Sequence, residues 1–277
     1  MLFNIRVTKN AFLMLAIAMT VGACQKMERP SLGDYPKDTN PPGGPLKFYT
    51  AFDGTTDNPL MNAVDSVRAN FPSDNPLASI DGVSGKSVQG NGTQAVKYPS
   101  ANDFKGSTSC TIAMWVNNTV NPRTELYFSL ASKDYWHESA AFLLVEHATP
   151  TAATLKFALQ DHWVEYGDKS FAKPLFDGQW HHLAFAYDET TSKVIVYFDG
   201  EIVTDPRTKD DFNGTPLGKL NIGNATSLVL GGWNKHAGLS GPTDAWISAY
   251  TGKLDQFRLF NKALTGSEVM ALYNSKL

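Results

Sequence analysis

The chain has 277 residues, with 24 Lys and Arg against 27 Asp and Glu and a formal charge of -3. Its basic residues are scattered along the sequence, which argues against a nucleic-acid partner. Cys24 and Cys110 are the two cysteines, so no disulfide framework holds the fold and no Cys/His cluster exists for zinc.

Residues 1–23 read as an export signal. Arg6 and Lys9 form a basic start, and the apolar run from Ala11 to Ala18, continued by Met19-Thr20-Val21, is too short to span a bilayer. The run ends in Val21-Gly22-Ala23-Cys24, which resembles a bacterial lipobox, where the cysteine becomes the lipidated first residue of the mature chain. Each buried methylene of an acyl chain contributes roughly 0.8 kcal/mol, so a multiply acylated Cys24 would be the membrane anchor. Losing Arg6 and Lys9 takes the 24 basic residues to 22 against 27 acidic ones, a mature charge of about -5. Cys110 is then left without an intramolecular partner and reads as a small apolar packing residue. Residues 24–45 are polar and rich in proline and glycine, ending in Asn40-Pro41-Pro42-Gly43-Gly44-Pro45, and read as a flexible tether. Lys26 and Glu28 resemble the charged export signals of Bacteroidota surface lipoproteins. The expected location is the outer membrane, on its periplasmic or surface side, with the surface favoured.

Residues 46–277 are enough for one large core, and no later apolar run is long enough to span a membrane. Strand signals dominate this part. They begin with Leu46 to Phe52 before an Asp53-Gly54 turn and continue at Thr93 to Tyr98, Thr111 to Val116, Glu125 to Ala131, Ala140 to Glu146 and Thr154 to Gln160. Trp180 to Tyr187, Val194 to Phe198 and Ser227 to Gly231 follow. Leu60 to Arg68 has helical spacing and decorates the first turn. Many short strands with glycine and asparagine turns predict an all-β sandwich of two antiparallel sheets.

The chain closes on Gly252-Lys253-Leu254-Asp255-Gln256-Phe257-Arg258-Leu259-Phe260, a strand, followed by a short helix. Thr265 caps that helix, with Glu268 three places on to complete a capping box. Val269, Met270, Leu272 and Tyr273 supply its apolar face.

This closing stretch resembles the G-x-φ-D-x-φ-x-φ-[YF]-x-x-A-L-[ST] motif of laminin-G-like, concanavalin A-type jelly rolls. Three further matches occur in that family's order. Thr111-Ile112-Ala113-Met114-Trp115-Val116 is similar to its T-I-x-x-W-φ strand. Asp177-Gly178-Gln179-Trp180-His181-His182-Leu183-Ala184 is similar to D-G-x-W-H-H-φ-A, and Val194 to Gly200 to φ-x-φ-Y-φ-D-G. The resemblance implies a jelly-roll β-sandwich with a short C-terminal helix, a fold that hosts binders, enzymes and structural modules alike.

The same fold includes laminarinase-type hydrolases, which carry E-x-D-x-x-E on one strand so that alternation puts the acids on one face. No glutamate here has an aspartate two residues later, so the expectation is a protein without catalysis of its own. His181 and His182 are adjacent on a strand and point to opposite faces, which keeps them from sharing an ion. One is expected to pack in the core and the other on the open face. His137 beside Trp136, and His162 between Asp161 and Trp163, are better surface candidates.

Trp115 and Trp180 fall inside family core strands and read as packing. Trp136, Trp163, Trp233 and Trp246 instead lie near loops or strand ends with polar neighbours, a mixture that suits a sugar ring with its apolar C–H face and fringe of hydroxyls. The expected ligand surface is Trp136, His162, Trp163, Trp233, Asn234 and Trp246, and the expected partner an oligo- or polysaccharide. The alternatives are a structural or protein-interaction subunit of an envelope complex, or a hydrolase whose carboxylates come from separate loops. The family resemblance further implies a structural Ca²⁺ held by Asp53 and Asp255 with backbone carbonyls.

Overall fold

The computed structural model describes residues 43–53 and 74–276. The signal segment with Cys24, most of the tether, and the helix expected over Leu60 to Arg68 lie outside the described residues. The strands are β1 (Leu46–Thr50), β2 (Ala78–Asp81), β3 (Lys86–Gln89), β4 (Val96–Tyr98), β5 (Cys110–Thr119), β6 (Thr124–Ala131), β7 (Ser139–Thr149) and β8 (Ala152–Leu159). They continue as β9 (His162–Phe171), β10 (Asp177–Asp188), β11 (Lys193–Phe198), β12 (Glu201–Val203), β13 (Ser227–Leu230), β14 (Ile247–Ala249) and β15 (Lys253–Phe260), and the C-terminal helix is α1 (Gly266–Ser275).

Two sheets result. The larger runs β12-β11-β10-β5-β15-β3-β2, with β1 also on β15; the smaller runs β4-β13-β6-β7-β8-β9, with β14 also on β6. Every pairing is antiparallel except β14 with β6. Inward-facing residues of the two sheets form one core: Ile112, Met114, Leu183, Phe185 and Leu259 from the larger, Phe128, Leu143, Leu155, Phe157 and Val164 from the smaller. Phe157 stacks on Phe185 across it, centroids 4.4 Å apart. Among the described residues no helix is long and apolar enough to cross a membrane.

Two bulges set which side chains face that core. In β15, Asp255 pairs with Trp115 and Arg258 with Ala113, so three steps on β15 oppose two on β5. Gln256 takes a positive φ of 46° at this point, and the extra residue lets Leu254, Phe257 and Leu259 all turn inward. In β6, the register slips between Leu126 and Phe128. Tyr127 and Phe128 both join the inter-sheet core, while Leu126 goes to the opposite face.

Alternation also loads apolar residues onto the outer face of the larger sheet, and α1 covers them. Ala113, Ala184, Ala186, Tyr197 and Phe260 pack there with Leu264 and Val269. The capping box forms as expected: the Thr265 amide donates to Glu268 at 2.8 Å and the Glu268 amide to the Thr265 hydroxyl at 3.3 Å. The Asp199-Gly200 hairpin turn, both residues at positive φ (52° and 83°), tucks against Met270 of α1, whose Cε and Sδ would lie 2.8 Å from a Cβ at Gly200.

The helix also corrects the expectation for the histidine pair. His182 is not on an open face: it is fully buried beside Trp115, over which Tyr273 of α1 stacks at 5.5 Å. Burial and the Arg258 guanidinium push His182 down to about 3, so it is neutral. His181 faces the other way, onto Phe198. Its Nδ1 lies 2.8 Å from Asp199 and its Nε2 3.1 Å from Asp177.

Burial alone would lower the His181 pKa, but its hydrogen bonds to Asp199 and Asp177 outweigh burial and raise it. Burial raises Asp177, and the Gln179 amide together with His181 more than reverses that. A raised histidine gives stability that is complete below its unfolded value near 6.5 and lost as pH climbs through the folded value. A depressed aspartate gives stability present above 3.8 and lost on acidification. The cluster therefore supports the fold best between about pH 4 and 6.5. His181→Gln is expected to cost about 2 kcal/mol at pH 6, and urea titrations from pH 5 to 9 should show most of the alkaline fall in stability gone.

Candidate functional site

Among the described residues no α-helix lies over the outer face of the smaller sheet. Leu126, Phe142, Leu144, Ala158 and Ile247 project there and pack with Trp233. Register aligns Phe142 on β7, Ala158 on β8 and Trp163 on β9 across three strands. The small side chain of Ala158 leaves room in the middle of that row, and Trp136, from the connection between β6 and β7, lies over it. Its ring centroid is 5.6 Å from Phe142 and 6.1 Å from Trp163. The Trp136 amide is pinned by donating to the Asp161 carboxylate at 2.7 Å.

Behind Trp136 the rings continue inward. His137 stacks on Trp136 and, at 5.1 Å and 16° between planes, on Trp233. The space among these rings and their floor is about 10 Å³, at or below what one water needs. A ligand cannot enter the stack and must lie on top of it. Burial lowers the His137 pKa while Asp244, 3.5 Å from its Nδ1, partly restores it, so the imidazole is neutral at physiological pH.

The stack rests on a backbone kink. His137 and Glu138 are consecutive non-glycine residues at positive φ, 52° and 53°, each costing about 1 kcal/mol or more. Hydrogen bonds hold both in place. The Trp233 indole donates to the His137 carbonyl at 3.1 Å, Asn234 Nδ2 to the Glu138 carbonyl at 2.9 Å, and the Ser132 amide to that same carbonyl at 2.9 Å. Ser129, on the outer face of β6, donates to Asn234 Oδ1 at 2.8 Å.

The expected ligand residues therefore divide. Trp136 and Trp163 stand together with 40% and 39% of their surface exposed. Trp246 is 53% exposed and donates from its indole to Asp244 at 3.3 Å, and Asp244 lies 3.5 Å from His137 Nδ1 below Trp136. Trp233 and Asn234, expected at the surface, are 1% and 2% exposed. They are a supporting layer, because an apolar sheet face needs a ring pressed directly onto it. His162 does not join the cluster either. It pairs with Leu159 and contacts Phe212 on the core side, one residue out of phase with Trp163.

One strand step from the aromatic row, charge replaces aromatic surface. Lys156 Nζ lies 3.3 Å from Glu146 and 3.7 Å from Glu165, about 7 Å along the strands from Ala158 and Trp163. Sequence reading did not assemble this row, nor the His137–Glu138 kink. The row depends on cross-strand register, and the kink has no glycine to mark it.

Asp53 and Asp255 do come together, at the 82–86 turn. The Lys86 amide donates to Asp53 and the Val83 amide to Asp255 Oδ2, each at 2.8 Å. Gly82 approaches so closely that a Cβ there would sit 2.3 Å from Asp255 Oδ2 and 2.9 Å from the carbonyls of Ser84 and Lys86. Asp255 is fully buried, and its Oδ1 has no protein partner. Burial pushes it up to about 7, opposed by amide hydrogen bonds from Val83, Gln256 and Ser84 and assisted by the Asp53 charge. An unpartnered carboxylate oxygen, a second carboxylate and converging carbonyls fit a hard cation. Among the described residues no group of three or more His, Cys, Asp or Glu side chains could hold a metal, so carbonyls and water would have to complete the shell.

Comparison with known proteins agrees with this architecture. No curated protein sequence matches the chain. Domain 4 of AbnA, an extracellular GH43 arabinanase from Geobacillus stearothermophilus solved with arabinotriose, superposes with a TM-score of 0.51 at 21% identity, covering 82% of this chain and 98% of that one. A heptameric SAP-like pentraxin from Limulus polyphemus gives 0.44 at 13% identity, covering 73% of this chain and 79% of that one. A Trypanosoma rangeli sialidase gives 0.49 at 13%, covering 72% of this chain but 28% of the sialidase. Residues 90–270 match the Laminin_G_3 sequence profile, and with two antiparallel sheets in place the chain belongs to the concanavalin A-like lectin/glucanases superfamily.

Proposed function

We propose that this domain is a non-catalytic glycan-binding module, carried on a lipid anchor at Cys24 at the outer membrane and engaged in capturing polysaccharide. The observation that carries this reading is the adjacent Trp136 and Trp163 pair, each about 40% exposed on the outer face of the smaller sheet. Two indoles on a rigid floor offer a bed for the apolar faces of sugar rings. Asp161, Asp244, Glu165 and Lys156 around them offer hydrogen bonds to hydroxyls. Each ring covered on one face hides about 100 Å², or about 2.5 kcal/mol gross. Two such contacts give millimolar to micromolar affinity after ordering costs. Many anchored copies on one polymer would compensate for that weakness.

The test is retention by arabinan, xylan, laminarin and pectin in affinity electrophoresis. Arabinan is included because the arabinanase domain was solved with arabinotriose. Trp136→Ala and Trp163→Ala are each expected to weaken binding about tenfold or more, with a smaller loss of Tm than Trp233→Ala. Trp233→Ala is expected to act through stability instead, costing about 3–5 kcal/mol as a buried ring. Retention of the wild type by none of the polymers, or equal retention of both surface variants, would refute the reading in favour of an envelope interaction subunit. Release of sugar products would refute the non-catalytic assignment.

Calcium belongs to the same proposal. Asp53 and Asp255, with carbonyls of the 82–86 turn, would hold the ion, which would neutralise the buried carboxylate and tie β15 to that turn. Saturating Ca²⁺ at 100 times its Kd adds about 2.7 kcal/mol, a Tm rise of several degrees for a domain of this size. Asp255→Asn is expected to abolish the rise while the protein stays folded, and an unchanged Tm in the wild type would exclude the site.

A further inference from the structure

The kink that sends the His137 ring to the tryptophan bed turns the next residue, Glu138, toward a separate pocket of about 260 Å³. Its polar lining includes Lys133, Asp134, Glu138, Asn224, Asn234 and Ser240. Pockets for drug-sized ligands begin at about 300 Å³, so this one has the size of a single small ring. The pocket and the bed share their dividing wall: His137 and Trp233 face one side, while their chain neighbours Glu138 and Asn234 face the other.

Three of the lining side chains are held by hydrogen bonds within the protein. Asn234 is locked by Ser129 and the Glu138 carbonyl, and Asn224 donates to Asp134 at 2.7 Å. The strain at His137 and Glu138 is sustained where it orients one side chain to each compartment, the circumstance in which backbone strain accompanies ligand contacts. Asp134 and Glu138 outnumber Lys133 around the cavity, so a uronate, sialate or phosphate would meet net repulsion.

We infer that this pocket is an end subsite, taking the uncharged terminal sugar of a chain whose preceding units lie on Trp136 and Trp163. This rests on the glycan-binding reading and adds to it that the protein recognises chain ends of neutral polysaccharides. A bed alone would count sugar units along the polymer; a bed ending in a one-ring pocket counts termini.

The experiment compares full-length protein on debranched arabinan, linear xylan and laminarin, each intact and after partial hydrolysis that raises chain ends about tenfold at constant mass. End recognition gives about a tenfold gain in apparent affinity per unit mass on hydrolysis. Ser240→Tyr, which fills the pocket from an exposed loop position, is expected to remove that gain and leave the mass-dependent binding to the bed, with Tm unchanged. Glu138→Gln is expected to keep the end dependence while admitting polygalacturonate fragments more readily. Binding that follows sugar mass regardless of hydrolysis, or an end dependence that survives Ser240→Tyr, overturns the pocket assignment alone. Failure to bind any polymer overturns the glycan reading and the pocket with it.

Discussion

The organising constraint is that strand alternation loads apolar side chains onto both faces of both sheets, while the two sheets can cover each other on one face only. Each outer face then needs its own cover. On the larger sheet the cover is α1, laid over Ala113, Ala184 and Phe260. On the smaller sheet Leu126, Phe142, Leu144, Ala158 and Ile247 are covered by a stack of rings, Trp233 then His137 then Trp136. A helix shields its face and ends the matter. A ring stack ends on a ring, so the last ring meets water, and the same packing that protects the sheet creates an exposed aromatic surface.

This view orders the residues by depth. Trp233 and Asn234 fix the kink from below. His137, neutral and filled in on both sides, transmits that position without offering a charge. Trp136 and Trp163 form the surface, and a row of Glu146, Lys156 and Glu165 bounds it. In the larger sheet, Asp255 poses the reverse problem. A carboxylate is buried with one oxygen unpartnered, which makes the 82–86 turn costly unless something positive shares it.

Much of the fold was legible because it is written in local chemistry. The capping box at Thr265 and Glu268, the Asp199-Gly200 turn and the strands β5, β10 and β11 each follow from a few adjacent residues. Leu254, Phe257 and Leu259 read as a simple alternating strand, yet strict alternation cannot place all three on one face, and the β15 bulge does so. By contrast β2 and β3 are too short and polar to announce themselves. Strand β9 hides because its solvent-side residues are Trp163 and Glu165, which look like loop chemistry until β8 is laid beside them.

The site was harder to read than the fold for a related reason. Loop tryptophans were recognisable as candidates, and three of the four are exposed. Depth, however, is a property of the assembled sheet: nothing in Gly232-Trp233-Asn234 says that this indole is pressed onto Leu126 and Phe142. The phase of His162 depends likewise on one residue of register with Leu159, and the covering of His182 on a helix almost a hundred residues away.

Under the proposed function a sugar chain lies on Trp136 and Trp163, with Trp246 at the margin and no other indole in contact. The most direct measurement is a ¹⁵N–¹H titration that follows all six tryptophan indole N–H signals as arabinotriose and xylotriose are added. The Trp136 and Trp163 signals are expected to move together along one saturable curve, while Trp115 and Trp233 stay still. Movement confined to Trp115, Trp180 or Trp233, or no movement beside binding detected by other means, would contradict it.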